Sequence, residues 1–155
     1  MKNFMILVLS AMLIWSCGSK DANNSNTPPP KSMVESKPVD DGKGVGQTTE
    51  VTLNDPLDQE MVKNGEAIYD LKCAACHKLT SQRVVGPGWA GITEKRKPEW
   101  IMNMITNVDV MLDEDPTARA MLEECLTRMP NQNVSVEDAR DILEFIYQND
   151  INQKS

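Results

Sequence analysis

The chain is poor in several things that whole classes of function require. Among its 155 residues there is a single histidine, His77, so a metal centre built from several histidines is excluded. Aromatic residues make up only 5% of the chain. Basic residues are in the minority, 16 against 23 acidic ones, for a formal net charge of -7. Such a chain does not coat itself with phosphate, and no nucleic-acid partner is expected. There is no apolar run of the roughly 20 residues that a bilayer-spanning helix needs. What remains is ordinary for one folded domain: 40% hydrophobic and 25% charged residues.

The N-terminus reads as an address. Lys2 precedes an apolar stretch from Phe4 to Trp15, about a dozen residues long, which is a signal-peptide pattern. Ser16, Cys17 and Gly18 follow. A cysteine there resembles the acceptor of bacterial lipoproteins, cleaved before the cysteine and lipidated on it, although Trp15 is bulky where a small residue is usual. Ordinary secretion with a free thiol and an uncleaved anchor are the alternatives. The expected organisation is a signal peptide over 1–16, a lipidated Cys17 with a flexible linker over 17–54, and a folded domain over 55–155. The linker assignment rests on Ser, Asn, Pro and Gly, with Pro28-Pro29-Pro30 at its centre and few large apolar residues to offset ordering.

The domain reads as all-α. Asp55-Pro56 is an N-cap and first-turn signal, and Leu57, Met61, Ile68 and Leu71 recur at helical spacing up to about Lys72. Residues 80–97, with Gly86, Pro87, Gly88 and Gly91, read as a loop. Pro98 and Asp115-Pro116 start two more helices, and Ser135 with Asp138 caps the last.

Cys73-Ala74-Ala75-Cys76-His77 carries the chemistry. The spacing C-x-x-C-H is the attachment signature of haem c. Two thiols add across the two vinyl groups, the two-residue gap matches the separation of those vinyls, and the adjacent histidine binds iron axially. Three other readings stay open. The cysteines could be a thioredoxin-like pair, although that motif normally opens a helix after a strand. Cys73, Cys76, His77 and Cys125 could bind zinc. The pair could be a structural disulfide.

An electron-carrying haem iron needs a sixth ligand, and with no second histidine a methionine is the natural donor. Met1, Met5 and Met12 lie in the leader and Met33 in the linker. Met61, Met102, Met104 and Met121 fall on helices and read as core. Met129 and Met111 remain. Met129 precedes Pro130, which biases it away from helical geometry and suits a loop that presents sulfur. Cys125 reads as a small buried helix residue, with a rival ligand or redox-sensitive thiol as the alternative. Trp89 and Trp100 are candidates to line a haem or to bond one of its propionates.

Over about residues 56–149 the domain resembles class I c-type cytochromes, small single-haem electron carriers. Gly65 and Tyr69 are similar to the glycine and aromatic of that family's first helix. Gly86-Pro87 resembles its Gly-Pro, whose proline carbonyl accepts from the proximal histidine ring. Met129-Pro130 resembles its distal Met-Pro, and Glu144-Phe145-Ile146 its last-helix aromatic. The resemblance implies the class I cytochrome c fold, one covalent haem c held by Cys73 and Cys76, iron ligated by His77 and Met129, and Pro87 orienting His77. It implies an electron carrier without enzymatic activity, with a haem sensor or peroxidase-like enzyme as the alternative. The lipoprotein-like start is similar to that of membrane-anchored cytochromes c of Bacteroidetes-type bacteria. The implied place is therefore outside the cytoplasm on a bacterial membrane, held by the lipid. The implied partners are redox proteins: a respiratory donor and a terminal reductase or oxidase, nitrous oxide reductase or cytochrome oxidase among them.

Charge is unevenly spread. Lys72, Lys78 and Arg83 flank the attachment motif, Lys95-Arg96-Lys97 is a run, and acids gather between 109 and 124. That pattern suggests salt-dependent steering toward a partner.

Overall fold

Helices form where caps and apolar spacing coincide. The computed structural model describes residues 40–154; Cys17, the apolar leader and most of the expected linker lie outside them. The described residues hold α1 (Gln59–Lys72), α2 (Ile92–Lys95), α3 (Pro98–Thr106), α4 (Val108–Glu114), α5 (Pro116–Cys125) and α6 (Val136–Lys154). Among these residues the only β-type pairing is an isolated bridge between His77 and Arg83.

The helix starts follow local chemistry. Asp58, rather than the expected Asp55, caps α1: its carboxylate accepts from the Glu60 and Met61 amides at 2.8 and 3.2 Å. Those amides would otherwise be orphans, so the helix begins where a carboxylate can reach them. Asp115 caps α5 in the same way, accepting from the Ala118 amide at 2.7 Å, with Pro116 in the first turn. Ser135 accepts from the Asp138 amide at 3.0 Å at the start of α6. Two elements escaped the sequence reading. The expected loop over 80–97 contains α2, a single turn, and the acidic stretch before Asp115 contains α4.

α1 and α6 form the frame. A Cβ at Gly65 would stand 2.2 Å from the Asp141 carbonyl oxygen, so only glycine lets the two backbones approach this closely. Tyr69 and Phe145 meet beside this contact with ring centroids 5.4 Å apart. Ile142, Leu143 and Ile146 of α6, with Val108 and Met111 of α4, are almost wholly buried. Buried Asp150 near the end of α6 accepts from the Gly91 amide, the Thr93 amide and the Thr93 hydroxyl, which pins the start of α2.

The flexible linker expected up to residue 54 is corrected over its last part. Residues 40–54 lie along α3, α4 and α6 as a strap. The fully buried Asn103 side chain donates to the Lys43 and Thr48 carbonyls and accepts from the Thr48 amide. Asn107 donates to the Val45 carbonyl, and Arg140 donates to the Thr52 carbonyl. Buried Glu144 takes both the backbone and side-chain N–H of Asn54. Polar side chains satisfy strap backbone groups, so a polar, glycine-containing segment is ordered without a large apolar face of its own.

Candidate functional site

The site begins where α1 runs out. The Cys76 and His77 amides both donate to the Cys73 carbonyl, at 3.0 and 2.9 Å, folding the attachment motif into a tight turn. Tyr69, one helical turn upstream of Cys73, donates its hydroxyl to the His77 carbonyl at 2.7 Å. The chain loops out and returns through Gly86, whose amide donates to the Cys76 carbonyl at 2.9 Å. That return sets the Pro87 carbonyl oxygen 2.9 Å from His77 Nδ1. A carbonyl can only accept, so Nδ1 carries the proton and the Nε2 lone pair is free for a metal. A Cβ at Gly86 would stand 2.4 Å from His77 Cε1, so the loop packs on the ring without room for a side chain.

Electrostatics agree with this geometry. Burial lowers the His77 pKa, opposed in part by the Pro87 hydrogen bond. Burial also pushes the Cys73 thiol up to about 11, with Lys72 working against it. A thioredoxin-like nucleophile needs the opposite shift, so that reading loses its basis. Cys73, Cys76 and Cys125 are not disulfide-bonded. Among the described residues no group of three or more His, Cys, Asp and Glu side chains is placed to hold a metal ion, so Cys125 does not join the motif in a zinc site.

Beside Cys76 and His77 opens a cavity. Its walls are apolar side chains of α3 (Trp100, Ile101, Met104, Ile105) and α5 (Ala118, Met121, Leu122), closed by Val85, Trp89 and the loop from Thr127 to Pro130. The lining suits a flat apolar macrocycle.

Met129 lines this cavity together with His77 and Pro87. Met111 does not. It is fully buried, and its sulfur accepts from the Val45 amide at 3.0 Å. The Met61 sulfur takes the Asn54 side-chain N–H at 3.5 Å, and the Met121 sulfur lies 3.9 Å from an Arg96 nitrogen. Of the three cavity methionines, Met104, Met121 and Met129, only Met129 sits in a loop. Met104 and Met121 read as core in the sequence; spacing along one helix cannot tell a core face from a cavity face when both are apolar.

Other expectations need adjustment. Cys125 is half-buried, lines the cavity, and receives a guanidinium N–H of Arg83 at 3.0 Å. Trp100 donates its indole N–H to buried Asp115 at 3.1 Å, so that group is not available to a propionate. Trp89 stacks obliquely near His77, with centroids 5.3 Å apart. The basic and acidic regions also meet: Arg83 stands 3.8 Å from Glu124, and Arg128 bridges Asp109 and Asp113. Arg96, read in the sequence as part of a surface run, stacks instead over the Trp100 ring at 5.2 Å.

Two thiols at the attachment spacing, an imidazole with Nε2 free, and an adjoining apolar cavity fit haem c. The comparisons point the same way. The cytochrome c family model matches residues 62–150. A cytochrome c from Rhodothermus marinus is similar at 33% identity and a TM-score of 0.67, over 70% of this chain and 92% of that one. An engineered cytochrome c from the same organism, bound to a carbene intermediate, is 31% identical with a TM-score of 0.63, over 69% and 92%. The cytochrome c domain of a Pseudomonas putida protein shares the fold at 22% identity and a TM-score of 0.52, over 58% and 91%. A search of curated proteins returned no match. Motif, fold and relatives converge: the chain belongs to the cytochrome c family, and its cofactor is covalent haem c.

Proposed function

We propose that the chain is a one-electron carrier in which His77 and Met129 would hold the haem iron. The observation that carries this reading is the shared cavity: a histidine held by Pro87 at 2.9 Å and a loop methionine line the same apolar space. Bound haem c supplies a reversible one-electron couple. The chain does the rest. Cys73 and Cys76 hold the porphyrin covalently, Pro87 fixes the His77 ring, and α3 and α5 exclude water.

The test is an absorption spectrum of the loaded chain with and without CO. A weak far-red ferric band, absent in Met129→Ala, together with no CO shift in the parent, is the expected result. A retained band in Met129→Ala would reassign the ligand, with Met104 and Met121 next. Ready CO binding by the parent would favour a small-ligand sensor or enzyme, a reading that the carbene-bound engineered relative makes concrete.

Cys17 supports a second part of the proposal, export and lipid anchoring on a bacterial membrane, with redox proteins as partners. No helix among the described residues is long and apolar enough to cross a membrane. Cys17→Ser should move the protein from the membrane to the soluble fraction; unchanged membrane association would remove the lipid from the model of attachment.

A further inference from the structure

Four acidic residues are buried among the described residues: Glu99, Asp115, Glu144 and Asp150. Glu99 pairs with Lys43 and Glu144 with Arg140. Asp115 and Asp150 are each only 2% exposed, and no ion pair among the described residues includes either. Asp150 takes three donors from Gly91 and Thr93. Asp115 takes two, the Trp100 indole N–H at 3.1 Å and the Ala118 amide at 2.7 Å, both on Oδ1. A charge withdrawn from water without a counter-charge is costly, so a carboxylate at this position needs a reason.

Capping alone does not supply one. Serine, threonine and asparagine cap helices about as well as aspartate and bury no charge. Asp58, the cap of α1, is exposed and keeps its carboxylate in water, whereas Asp115 caps α5 from the interior. The position of Asp115 supplies the reason. It is not a lining residue of the haem cavity, but both its donors are: Trp100 of α3 and Ala118 of α5. The carboxylate therefore stands directly behind the cavity wall and ties its two helices together. Arg96 faces the same indole, 5.2 Å from the ring centroid, but forms no ion pair with Asp115. Loss of an electron adds a positive charge to the haem, and a negative charge in the adjoining low-dielectric wall favours that state. We propose that Asp115 sets the reduction potential of the covalent haem, its buried charge stabilising the ferric over the ferrous state from behind Trp100. The proposal rests on covalent haem c alone and is independent of which residue is the sixth ligand.

The test is the midpoint potential of the haem-loaded full chain, measured for the parent, Asp115→Asn and Asp115→Glu. Asparagine keeps an oxygen for the Trp100 and Ala118 N–H groups and removes the charge. The potential should rise in Asp115→Asn and stay near that of the parent in Asp115→Glu. The difference should persist at high salt, because a buried charge is poorly screened. The sign is decisive. A loosened wall admits water and lowers the potential, so a fall in Asp115→Asn, or the same shift in both variants, would reduce Asp115 to a structural cap and refute the proposal. An unchanged potential would refute it too, and a difference lost at high salt would assign the effect to surface charge instead. Asp150→Asn is the internal control. It removes an equally buried charge whose donors, Gly91 and Thr93, do not line the cavity, and it should shift the potential less. An equal or larger shift would mean that interior charge at large, and not Asp115, sets the potential. Should Asp115→Asn fail to load haem, Asp115→Ser, also a neutral cap, takes its place with the same readings. Failure of both neutral variants to load would make the carboxylate a requirement of the fold and overturn the proposal.

Discussion

The two sides of the haem cavity are built by different means. On the attachment side, His77 is held by groups close in sequence: the Pro87 carbonyl ten residues on and the Tyr69 hydroxyl eight residues back, in a half-buried setting. On the far side, the Met129 loop is tied down through its neighbour. Arg128 donates to the Asp109 carbonyl at 3.1 Å and to the Asp113 carboxylate at 3.0 Å, all at exposed positions. The first arrangement resists salt and competes poorly with water only if the loop opens. The second depends on charges in a high dielectric, where such pairs contribute about 0–1 kcal/mol. A family of carriers built this way should hold its histidine rigidly and its methionine more loosely.

The most damaging way to break that contrast is to unseat the histidine. Gly86→Ala places a Cβ 2.4 Å from His77 Cε1 and 2.7 Å from Nδ1, so the ring or the loop must move. Overpacking of this kind costs about 1–3 kcal/mol, and the lost Pro87 hydrogen bond adds about 1 kcal/mol. The loaded variant should show a disturbed iron spectrum and a thermal midpoint many degrees lower. A parent-like spectrum and midpoint would mean that the attachment side yields as easily as the far side.

The same contrast explains what could be read from the sequence. Cys73, Cys76 and His77 were located by the C-x-x-C-H spacing, and Gly86 and Pro87 by the resemblance to class I c-type cytochromes. The helices of the α1–α6 frame were legible from caps and helical spacing, and Gly65, Tyr69 and Phe145 from the same resemblance. The far wall was not. Whether Met104, Met121 or Met111 faces core or cavity depends on how α3, α4 and α5 pack, and an apolar stripe looks the same in either case. Arg96 hid in a basic run because only tertiary structure shows that its neighbour Trp100 turns inward. The strap was invisible because it is held through its own backbone groups. Asn103 recognises the Lys43 and Thr48 carbonyls, and a backbone carbonyl leaves no mark on composition.

A smaller effect is expected from removing that recognition. Asn103→Ala deletes three hydrogen bonds, two to carbonyls and one from the Thr48 amide, at a fully buried position. The unsatisfied strap groups can turn toward water, so the loss should be about 2 kcal/mol and not the full sum. Limited proteolysis should then cut within 40–54, while the haem spectrum stays that of the parent. Asn103 stands on α3 but is not among the cavity-lining residues. A changed spectrum would show that the strap shapes the cavity directly, and the contrast would need a third side.

The smallest effect tests the far side itself. Arg128→Ala removes a guanidinium that is 44% exposed and reaches Asp113 at 3.0 Å and Asp109 at 3.7 Å. Stability should fall by less than about 1 kcal/mol. The informative readout is access to the sixth position. A loosened 126–131 loop should admit CO or imidazole to the ferrous or ferric protein several-fold faster, and high salt should have a similar effect on the parent by screening the same pairs. In the variant the salt effect should largely disappear, because the pairs that salt would weaken are already gone. Equal salt sensitivity in both proteins would place the control of that loop elsewhere. Arg83, which reaches the Cys125 sulfur and the Glu124 carbonyl just before the loop, is then the next residue to change.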